Sequence, residues 1–323
     1  MQVNSIVTVS YPYNKDTFTP RKIPNRINYD PVRVSYTSDV FIKKNASNIS
    51  FQSASSPFLH YATKYLKNMC YERSIKASKR PYLEIAADLK SAIHPIEIQV
   101  NKKEFINAFD INPKNANKYV IFLHGFSQNI TENQPLYREL LNTDYGILAI
   151  DYRSYGHNKP SKHTGETHIM NDINSAVKYL KNKGINNIGL LGHSFGGYMS
   201  AKTSNLNNFN FQILVSPVLS MDFWRENVLR NPGKYKMEER LLKFIPSIKE
   251  AYKQIFNIEK HIEKNTTPTY VIHSKTDGYI NYKTINEFVK NIFNLKGFNM
   301  LPRGGHRMDD SKITAICELL ETL

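Results

Sequence analysis

Short runs of apolar residues, each of strand length, recur from residue 118 onward and alternate with longer amphipathic stretches. The runs lie at 118–125, 145–153, 187–194, 211–218, 268–277 and 297–305. Continuous apolar runs of this length are typical of parallel strands that are buried on both faces. Between two of them, residues 168–184 have helical spacing and end at Gly184, a residue typical of helix C-termini. This alternation predicts an α/β fold in which helices flank a mostly parallel central sheet.

The hydrophobic pattern changes twice before the first of these runs. Residues 1–56 are rich in Ser, Thr, Asn, Tyr and Pro without a sustained period, which predicts an extended or poorly ordered N-terminal arm. Residues 57–95 carry apolar side chains at helical spacing and predict a helical extension that docks on the domain. Residues 96–113 alternate like two antiparallel strands, so we expect the compact domain to span 96–323.

Composition narrows the class of protein. Two cysteines, Cys70 and Cys317, predict neither a disulfide framework nor a metal site, and we expect no cofactor. No secretory signal or membrane-spanning run is visible, which predicts a soluble, cytoplasmic protein. The composition of residues 1–56 is also compatible with the delivery segment of a secreted bacterial effector.

The net charge of +15 and the pI near 9.5 bear on the partners. Lysines and arginines are scattered without a recognisable binding motif, so we expect no nucleic-acid partner. A basic surface instead favours anionic substrates or a peripheral contact with an anionic membrane surface. Nothing in the sequence indicates an oligomeric state.

The stretch "GLLGHSFGGYMS" (189–200) places a serine between two near neighbours that are glycine. An apolar run precedes it and a helical pattern follows, so Ser194 is predicted to lie at a sharp strand-to-helix turn. Such a turn exposes the serine, and glycines such as Gly192 and Gly196 allow strand and helix to approach closely. A serine hydroxyl is a poor nucleophile until a base and an oxyanion site surround it.

Partners for Ser194 are expected at the carboxyl ends of other strands, where open α/β sheets carry their chemistry. Asp277 follows the run at 268–277, and His306 follows the last run. The order Ser194, Asp277, His306 predicts a triad in which His306 is the base and Asp277 orients the imidazole. The backbone N–H groups of Phe126, after the run at 118–125, and of Phe195 are the predicted oxyanion donors.

Other polar residues near these runs have alternative interpretations. Asp222 is the rival acid, because it follows the preceding strand. His193 and His273 are assigned to packing, since each lies within or beside an apolar run. Asp309 is expected to begin the last helix as an N-terminal carboxylate.

The chain resembles a known superfamily. The segments that carry the resemblance are "FLHGFSQN", "IDYRSYG", "GHSFGGYMSA", "HSKTD" and "GGH". Over residues 96–323 they are similar to the α/β hydrolases, and more narrowly to their serine esterase, lipase and monoacylglycerol-lipase-like branch. The resemblance implies an α/β-hydrolase fold and the same roles for Ser194, Asp277, His306, Phe126 and Phe195. One departure is Ser154, where many relatives carry glycine.

An insertion at about 219–266 lies where relatives carry a cap over the active site. It combines amphipathic helical patterns, Trp224 and many lysines and arginines. Two interpretations stay open for it. One is an apolar cover for an acyl chain with an anionic or zwitterionic head, and the other is a solvated insertion that only shields the site.

The triad pattern predicts a serine hydrolase that cleaves carboxylic esters or thioesters of an acyl-lipid-like substrate through an acyl-enzyme. Three alternatives remain. "SFGGYMSA" is also similar to peptidases of the prolyl-oligopeptidase type, so a peptidase or amidase fits the same triad. An acyltransferase uses the same triad with an alcohol acceptor. A binding protein that has lost catalysis is disfavoured, because every member of the triad is present.

Overall fold

Strands and helices alternate along the described part of the chain. The computed structural model describes residues 61, 64–65, 80–112, 115–162, 165–230, 233, 239, 242 and 246–323. The strands are β1 (Ile93–Gln99), β2 (Phe105–Ile111), β3 (Lys118–Leu123), β4 (Tyr145–Ile150), β5 (Asn187–His193), β6 (Phe211–Val215), β7 (Thr269–Ser274) and β8 (Leu295–Leu301). The α-helices are α1 (Gln134–Leu140), α2 (Glu166–Asn182), α3 (Phe195–Ser204), α4 (Asp222–Arg230), α5 (Pro246–Gln254), α6 (Glu259–Ile262), α7 (Tyr282–Lys290) and α8 (Asp310–Glu321).

The eight strands form one sheet in the order β1-β2-β4-β3-β5-β6-β7-β8. β1 and β2 pair antiparallel, as does β2 with β4, and every other neighbouring pair is parallel. The mostly parallel sheet predicted from the apolar runs is therefore confirmed. All of its parallel strands run in one direction, so their carboxyl ends lie along one edge of the sheet.

Alternate residues of the central strands face opposite layers of helices. In β3, Tyr119, Ile121 and Leu123 pack in an apolar cluster with residues of α2, α3 and α7. Val120 and Phe122 pack in a second cluster with residues of α1 and α8. Because successive side chains of a strand point to opposite faces, a run that is apolar throughout is buried on both sides.

The segment before β1 differs from its prediction. Residues 80–92 form extended chain and turns, not a helix, and β1 begins at Ile93, before the expected boundary at Ile96. The backbone N–H groups of Leu83 and Ala86 donate to side chains, Thr131 Oγ1 at 2.9 Å and Gln134 Oε1 at 2.7 Å. Donors satisfied by a neighbouring segment do not need a helix to bond. The apolar positions still dock, and Leu89 is fully buried.

Two other predicted segments are described only in part. The arm predicted at 1–56 lies outside the described residues, and of 57–79 only 61 and 64–65 are described, as helical. The predicted insertion contains α4, α5 and α6, and much of 231–245 lies outside the described residues. Met221 N–H donates to Ile255 O at 2.9 Å and Ile258 N–H to Leu219 O at 2.9 Å. These bonds tie the start of the insertion to its end.

None of the described helices has both the length and the apolar character that crossing a membrane requires.

The docking of residues 80–92 can be tested with two leucines of that segment. Leu89→Ala is expected to lower the free energy of unfolding by about 2–5 kcal/mol, because the lost side chain leaves a buried cavity. Leu83→Ala is the matched control, since 48% of Leu83 is exposed. Its effect is expected within about 0.5 kcal/mol in urea unfolding followed by circular dichroism. Equal effects of the two substitutions would contradict the docking.

Candidate active site

Ser194 occupies a turn between β5, which ends at His193, and α3, which begins at Phe195. Its φ of 56° and ψ of −114° are sparsely populated for a residue with a side chain. Such a conformation costs about 1–3 kcal/mol and persists only where its surroundings fix it. Here Ser194 N–H donates to Val215 O at 2.9 Å, and Ser194 O accepts from the N–H groups of Gly197 and Val218, each at 3.0 Å.

Two glycines allow this turn to form. A Cβ on Gly196 would lie 1.9 Å from Leu123 O, and one on Gly192 would lie 2.3 Å from Gly196 O. Both distances are far inside van der Waals contact with backbone atoms, which cannot move aside. The predicted reason for the two glycines, a close approach of strand and helix, is therefore what the packing around Ser194 requires.

Three side chains meet at the carboxyl edge of the sheet. His306 Nε2 lies 2.9 Å from Ser194 Oγ, and His306 Nδ1 lies 2.8 Å from Asp277 Oδ2. Asp277 follows β7 and His306 follows β8, so each comes from a different strand end. An imidazole with a carboxylate on Nδ1 carries its proton there and presents Nε2 as an acceptor for the serine hydroxyl. The arrangement is that of a nucleophile, a base and an orienting carboxylate.

The Asp277 carboxylate is buried and hydrogen-bonded on both oxygens. Burial by itself would raise its pKa, but bonds from His306 and from the N–H groups of Ile280 and Tyr279 lower the pKa to about 2. The two N–H groups donate to Oδ1 at 2.9 and 2.8 Å. Asp277 is therefore ionised at neutral pH, and its negative charge stabilises a protonated imidazole at His306.

Phe195 directly follows Ser194, and Phe126 lies in the turn after β3. A Cβ on Gly125 would lie 3.3 Å from Ser194 Cβ, which places the turn after β3 against the serine. Phe195 is the first residue of α3, and the N–H groups of a first helical turn point away from the helix towards its N-terminal side. The rings of Phe126 and Phe195 stack with centroids 4.0 Å apart. The two residues that carry the predicted oxyanion donors are thus in contact through their side chains.

The chain is similar in sequence to known proteins. The sequence profile of the family described as serine aminopeptidase, S33, matches residues 114–254. A carboxylesterase of Bacillus subtilis is 26% identical over 192 residues, which are 54% of this chain and 77% of that protein.

Solved structures share the fold. An esterase of Pyrococcus furiosus superposes with a TM-score of 0.59 at 19% identity, covering 76% of this chain and 97% of its own. An esterase of Butyrivibrio proteoclasticus with ferulic acid bound has a TM-score of 0.55 at 20% identity, over 70% and 96% of the two chains. The chain has the α/β-hydrolase fold. The resemblance seen in the sequence is confirmed at this level.

Ser154, where many α/β hydrolases carry glycine, has a φ of 66°. Left-handed backbone favours glycine, so the structure explains why relatives use one at this position. Here the serine side chain stabilises the loop, because Ser154 Oγ accepts a 2.8 Å hydrogen bond from the N–H of Ser161. Ser154 therefore supplies a hydrogen bond that a glycine at this position could not make.

The structure also places the residues that had alternative interpretations. Asp222, the rival acid, forms a two-point ion pair with Arg225 at 2.5 and 2.7 Å. His273 is fully buried and lies 3.1 Å from Ile280 O through Nε2, in line with its assignment to packing. Asp309 accepts a bond from Lys312 N–H at 3.2 Å and caps α8, as predicted.

Two residues contact the His306 loop in ways that the sequence did not predict. His193, assigned only to packing, lies with Nε2 2.8 Å from His306 O. Lys312 is fully buried, and its Nζ donates to Gly305 O and Arg307 O, on either side of His306. No sequence signal points to the His193 contact, because the two residues are 113 positions apart.

Within the described residues, no group of three or more His, Cys, Asp or Glu side chains is placed to hold a metal ion.

The two-glycine turn makes a stability prediction. Gly196→Ala is expected to lower the free energy of unfolding by about 1–3 kcal/mol or more, since the new methyl group would overlap the Leu123 carbonyl. Gly278→Ala is the control: it follows Asp277 directly, and a Cβ there would meet nothing within 4 Å. Denaturant unfolding of both variants is the measurement. A tolerated Gly196→Ala would mean that strand and helix are not in this contact.

Proposed function

We propose that this α/β hydrolase is a serine esterase that cleaves carboxylic esters or thioesters through an acyl-enzyme on Ser194. The observation that carries the proposal is the chain of contacts from Ser194 Oγ to His306 Nε2 (2.9 Å) and from His306 Nδ1 to Asp277 Oδ2 (2.8 Å). The esterases among its relatives and structural neighbours support it.

Acylation begins when Ser194 Oγ attacks the carbonyl carbon of the ester. His306 Nε2 takes the hydroxyl proton, and the carbonyl oxygen becomes the oxyanion of a tetrahedral intermediate. When the intermediate collapses, the carbon–oxygen bond to the alcohol breaks and His306 returns the proton to the leaving oxygen. Ser194 is left as an acyl ester.

Deacylation repeats these steps with water as the nucleophile. His306 Nε2 removes a proton from the water as its oxygen attacks the acyl carbon. The second tetrahedral intermediate releases the carboxylic acid, and the proton goes to Ser194 Oγ. Asp277 stays ionised throughout and offsets the positive charge that His306 carries in each intermediate.

The backbone N–H groups of Phe126 and Phe195 are the proposed oxyanion donors. Phe126 lies in the turn after β3, and Phe195 is the first residue of α3. Because packed elements hold both residues, their N–H groups are oriented before the negative charge of the oxyanion develops. The ring of Phe256 supports this region from the other side, with centroids 5.4 Å from the rings of both Phe126 and Phe195. Loss of one such donor in other hydrolases costs about 10²–10³-fold in rate.

An acyl chain is the proposed apolar part of the substrate. Phe126, Leu219, Phe223 and Trp224 are partly exposed and pack against the same apolar cluster. They belong to the turn after β3 and to the start of the insertion after β6, and each of these segments follows the carboxyl end of a parallel strand. An apolar surface there favours an acyl chain over a charged substrate.

The charges on the insertion support an anionic head group on the substrate less strongly than the apolar residues support an acyl chain. Arg225 pairs with Asp222, Arg230 with Glu226, and Lys253 with Glu250. These pairs compensate the positive charge locally on α4 and α5. We also propose a peripheral contact with an anionic membrane surface, because the net charge of +15 attracts anionic lipids.

Peptide hydrolysis is the second candidate, because the matching family profile is described as a serine aminopeptidase. Amides are less reactive than esters towards the same serine. An aminopeptidase also needs groups that recognise a free amino end and a chain on both sides of the bond. Ester cleavage makes fewer demands on the site.

The role of Asp277 can be separated from that of Asp222. Asp277→Asn is expected to lower kcat by about 10⁴-fold, since an amide cannot fix the imidazole tautomer or offset its charge. Asp222→Asn is the control and is expected to retain activity within a few fold. Hydrolysis of a p-nitrophenyl ester is the assay, and Ser194→Ala sets the background. The assignment is wrong if Asp222→Asn proves the damaging change or if Ser194→Ala stays active.

Substrate class can be tested with p-nitrophenyl esters of rising acyl length, an acyl thioester, a monoacylglycerol, a lysophospholipid and aminoacyl amides. We expect kcat/KM to rise from short to medium acyl chains, because each buried CH₂ adds about 0.8 kcal/mol of binding. Esters should be cleaved far faster than amides. The rates on the panel, with fluorophosphonate labelling of Ser194, are the measurement.

A strict preference for acetyl esters would contradict the lipid-like substrate. Faster cleavage of aminoacyl amides would favour the peptidase. No turnover and no labelling would leave a binding protein.

A further inference from the structure

The loop that carries His306 has no regular secondary structure of its own. It joins β8 to α8, and Gly304 within it has a φ of 127°. Glycine gives a loop conformational freedom, and the next residue, Gly305, has nothing within 4 Å of where a Cβ would be. Neither a helix nor a strand therefore fixes the place of the His306 imidazole. Contacts from outside the loop have to do so.

Lys312 makes two of these contacts. Its Nζ donates to Gly305 O at 2.6 Å and to Arg307 O at 3.1 Å, the carbonyls on either side of His306. A third bond runs to Asp309 Oδ2 at 2.7 Å. An ammonium group has three donors, and here all three have acceptors. These bonds offset the cost of burying the polar end of this completely buried side chain.

His193 donates to the carbonyl of His306, which lies between the carbonyls of Gly305 and Arg307. Its Nε2 lies 2.8 Å from His306 O, so this nitrogen carries the proton and donates. Burial first, and then the neighbouring His306, lower the pKa of His193 to about 3, so its imidazole is neutral at physiological pH. His193 is also the residue before Ser194. The bond therefore links the backbone of the base to the strand that presents the nucleophile.

The start of the loop is tied to the strand that precedes the acid. Gly304 O accepts from Ser274 Oγ and from Thr276 Oγ1, each at 2.7 Å. Ser274 ends β7, and Asp277 follows three positions later. Four consecutive carbonyls, those of residues 304–307, thus accept hydrogen bonds from side chains.

We propose that His193 and Lys312 are positioning residues for His306. Their donors hold the carbonyls of Gly305, His306 and Arg307, and so they fix the imidazole in register between Ser194 and Asp277. This inference rests on the proposed function, in which His306 is the base. Neither residue touches the reacting atoms, and each acts through the backbone of the loop.

The expected size of the effect follows from geometry. Proton transfer requires the base within hydrogen-bond reach of the hydroxyl, and a misplacement of about 1 Å costs on the order of 10²-fold in rate. Binding of the ester depends on other surfaces, including those around Phe126 and Trp224. Loss of positioning should therefore lower kcat and leave KM almost unchanged.

Four variants test the proposal. Lys312→Met keeps the apolar stem and removes the ammonium, and His193→Leu removes the donor to His306 O. His193→Gln is the conservative variant, because its side-chain amide can donate from nearly the same position. Lys202→Met is the matched control: Lys202 is a largely buried lysine, 17% exposed, paired with Glu166 at 2.9 Å on helix α3.

The measurements are kcat and KM for a p-nitrophenyl ester and the downfield proton resonance of the His306–Asp277 hydrogen bond, taken well below each variant's unfolding temperature. Lys312→Met and His193→Leu are expected to lose about 10–100-fold in kcat, with KM within about twofold, and to shift or broaden the resonance. His193→Gln should recover most of the loss. Lys202→Met should lose stability alone.

If the variant of His193 or of Lys312 has the same kcat and the same resonance as Lys202→Met, that residue is not a positioning residue. Failure of Lys312→Met to fold leaves the His193 pair to decide, through the rescue by glutamine. An inactive, unlabelled wild-type protein would contradict the proposed function instead. The resonance then still reports whether the two donors hold His306 against Asp277.

Discussion

The packing of the Ser194 turn against the end of β3 is the constraint on which the site depends. Gly196 leaves no room for a side chain beside the Leu123 carbonyl, and this contact holds α3 close to the sheet. The close approach forces Ser194 to a φ of 56° and presents its hydroxyl at the sheet edge. The strain is local, and bonds to β6 and to the residues after it offset it.

Parallel strand order brings the other parts to the same edge. β7 and β8 are neighbours in the sheet, and only β6 separates β7 from β5. The residues that follow these three strands lie along one edge of the sheet, although they are far apart in sequence. Ser194 and His306 are 112 positions apart and lie 2.9 Å from each other through Oγ and Nε2. A loop-borne base in such a site needs support from its surroundings, and the buried side chains of His193 and Lys312 supply donors to it.

Much of the fold was predicted correctly from the sequence, and the wrong predictions have a physical cause. Strands buried on both faces leave an unambiguous apolar run, so the predicted runs correspond to β3–β8 to within a few residues. Residues 81–93 have helical spacing, yet Thr131 and Gln134 accept the N–H groups of Leu83 and Ala86. A tertiary partner for the backbone overrides a weak local preference, and nothing in the segment itself reveals that partner.

The sequence by itself determined the type of turn at Ser194 and the order of serine, acid and histidine. The spacing of the glycines and the ends of the strands are local features of the sequence, and they identify the residues that are candidates for the site. Tertiary structure alone decided that Asp277 and not Asp222 contacts His306, because that contact depends on which loop folds back over the sheet edge. It also decided the role of His193: burial lowers the pKa of its imidazole to about 3, and only the folded loop brings the His306 carbonyl within 2.8 Å of Nε2.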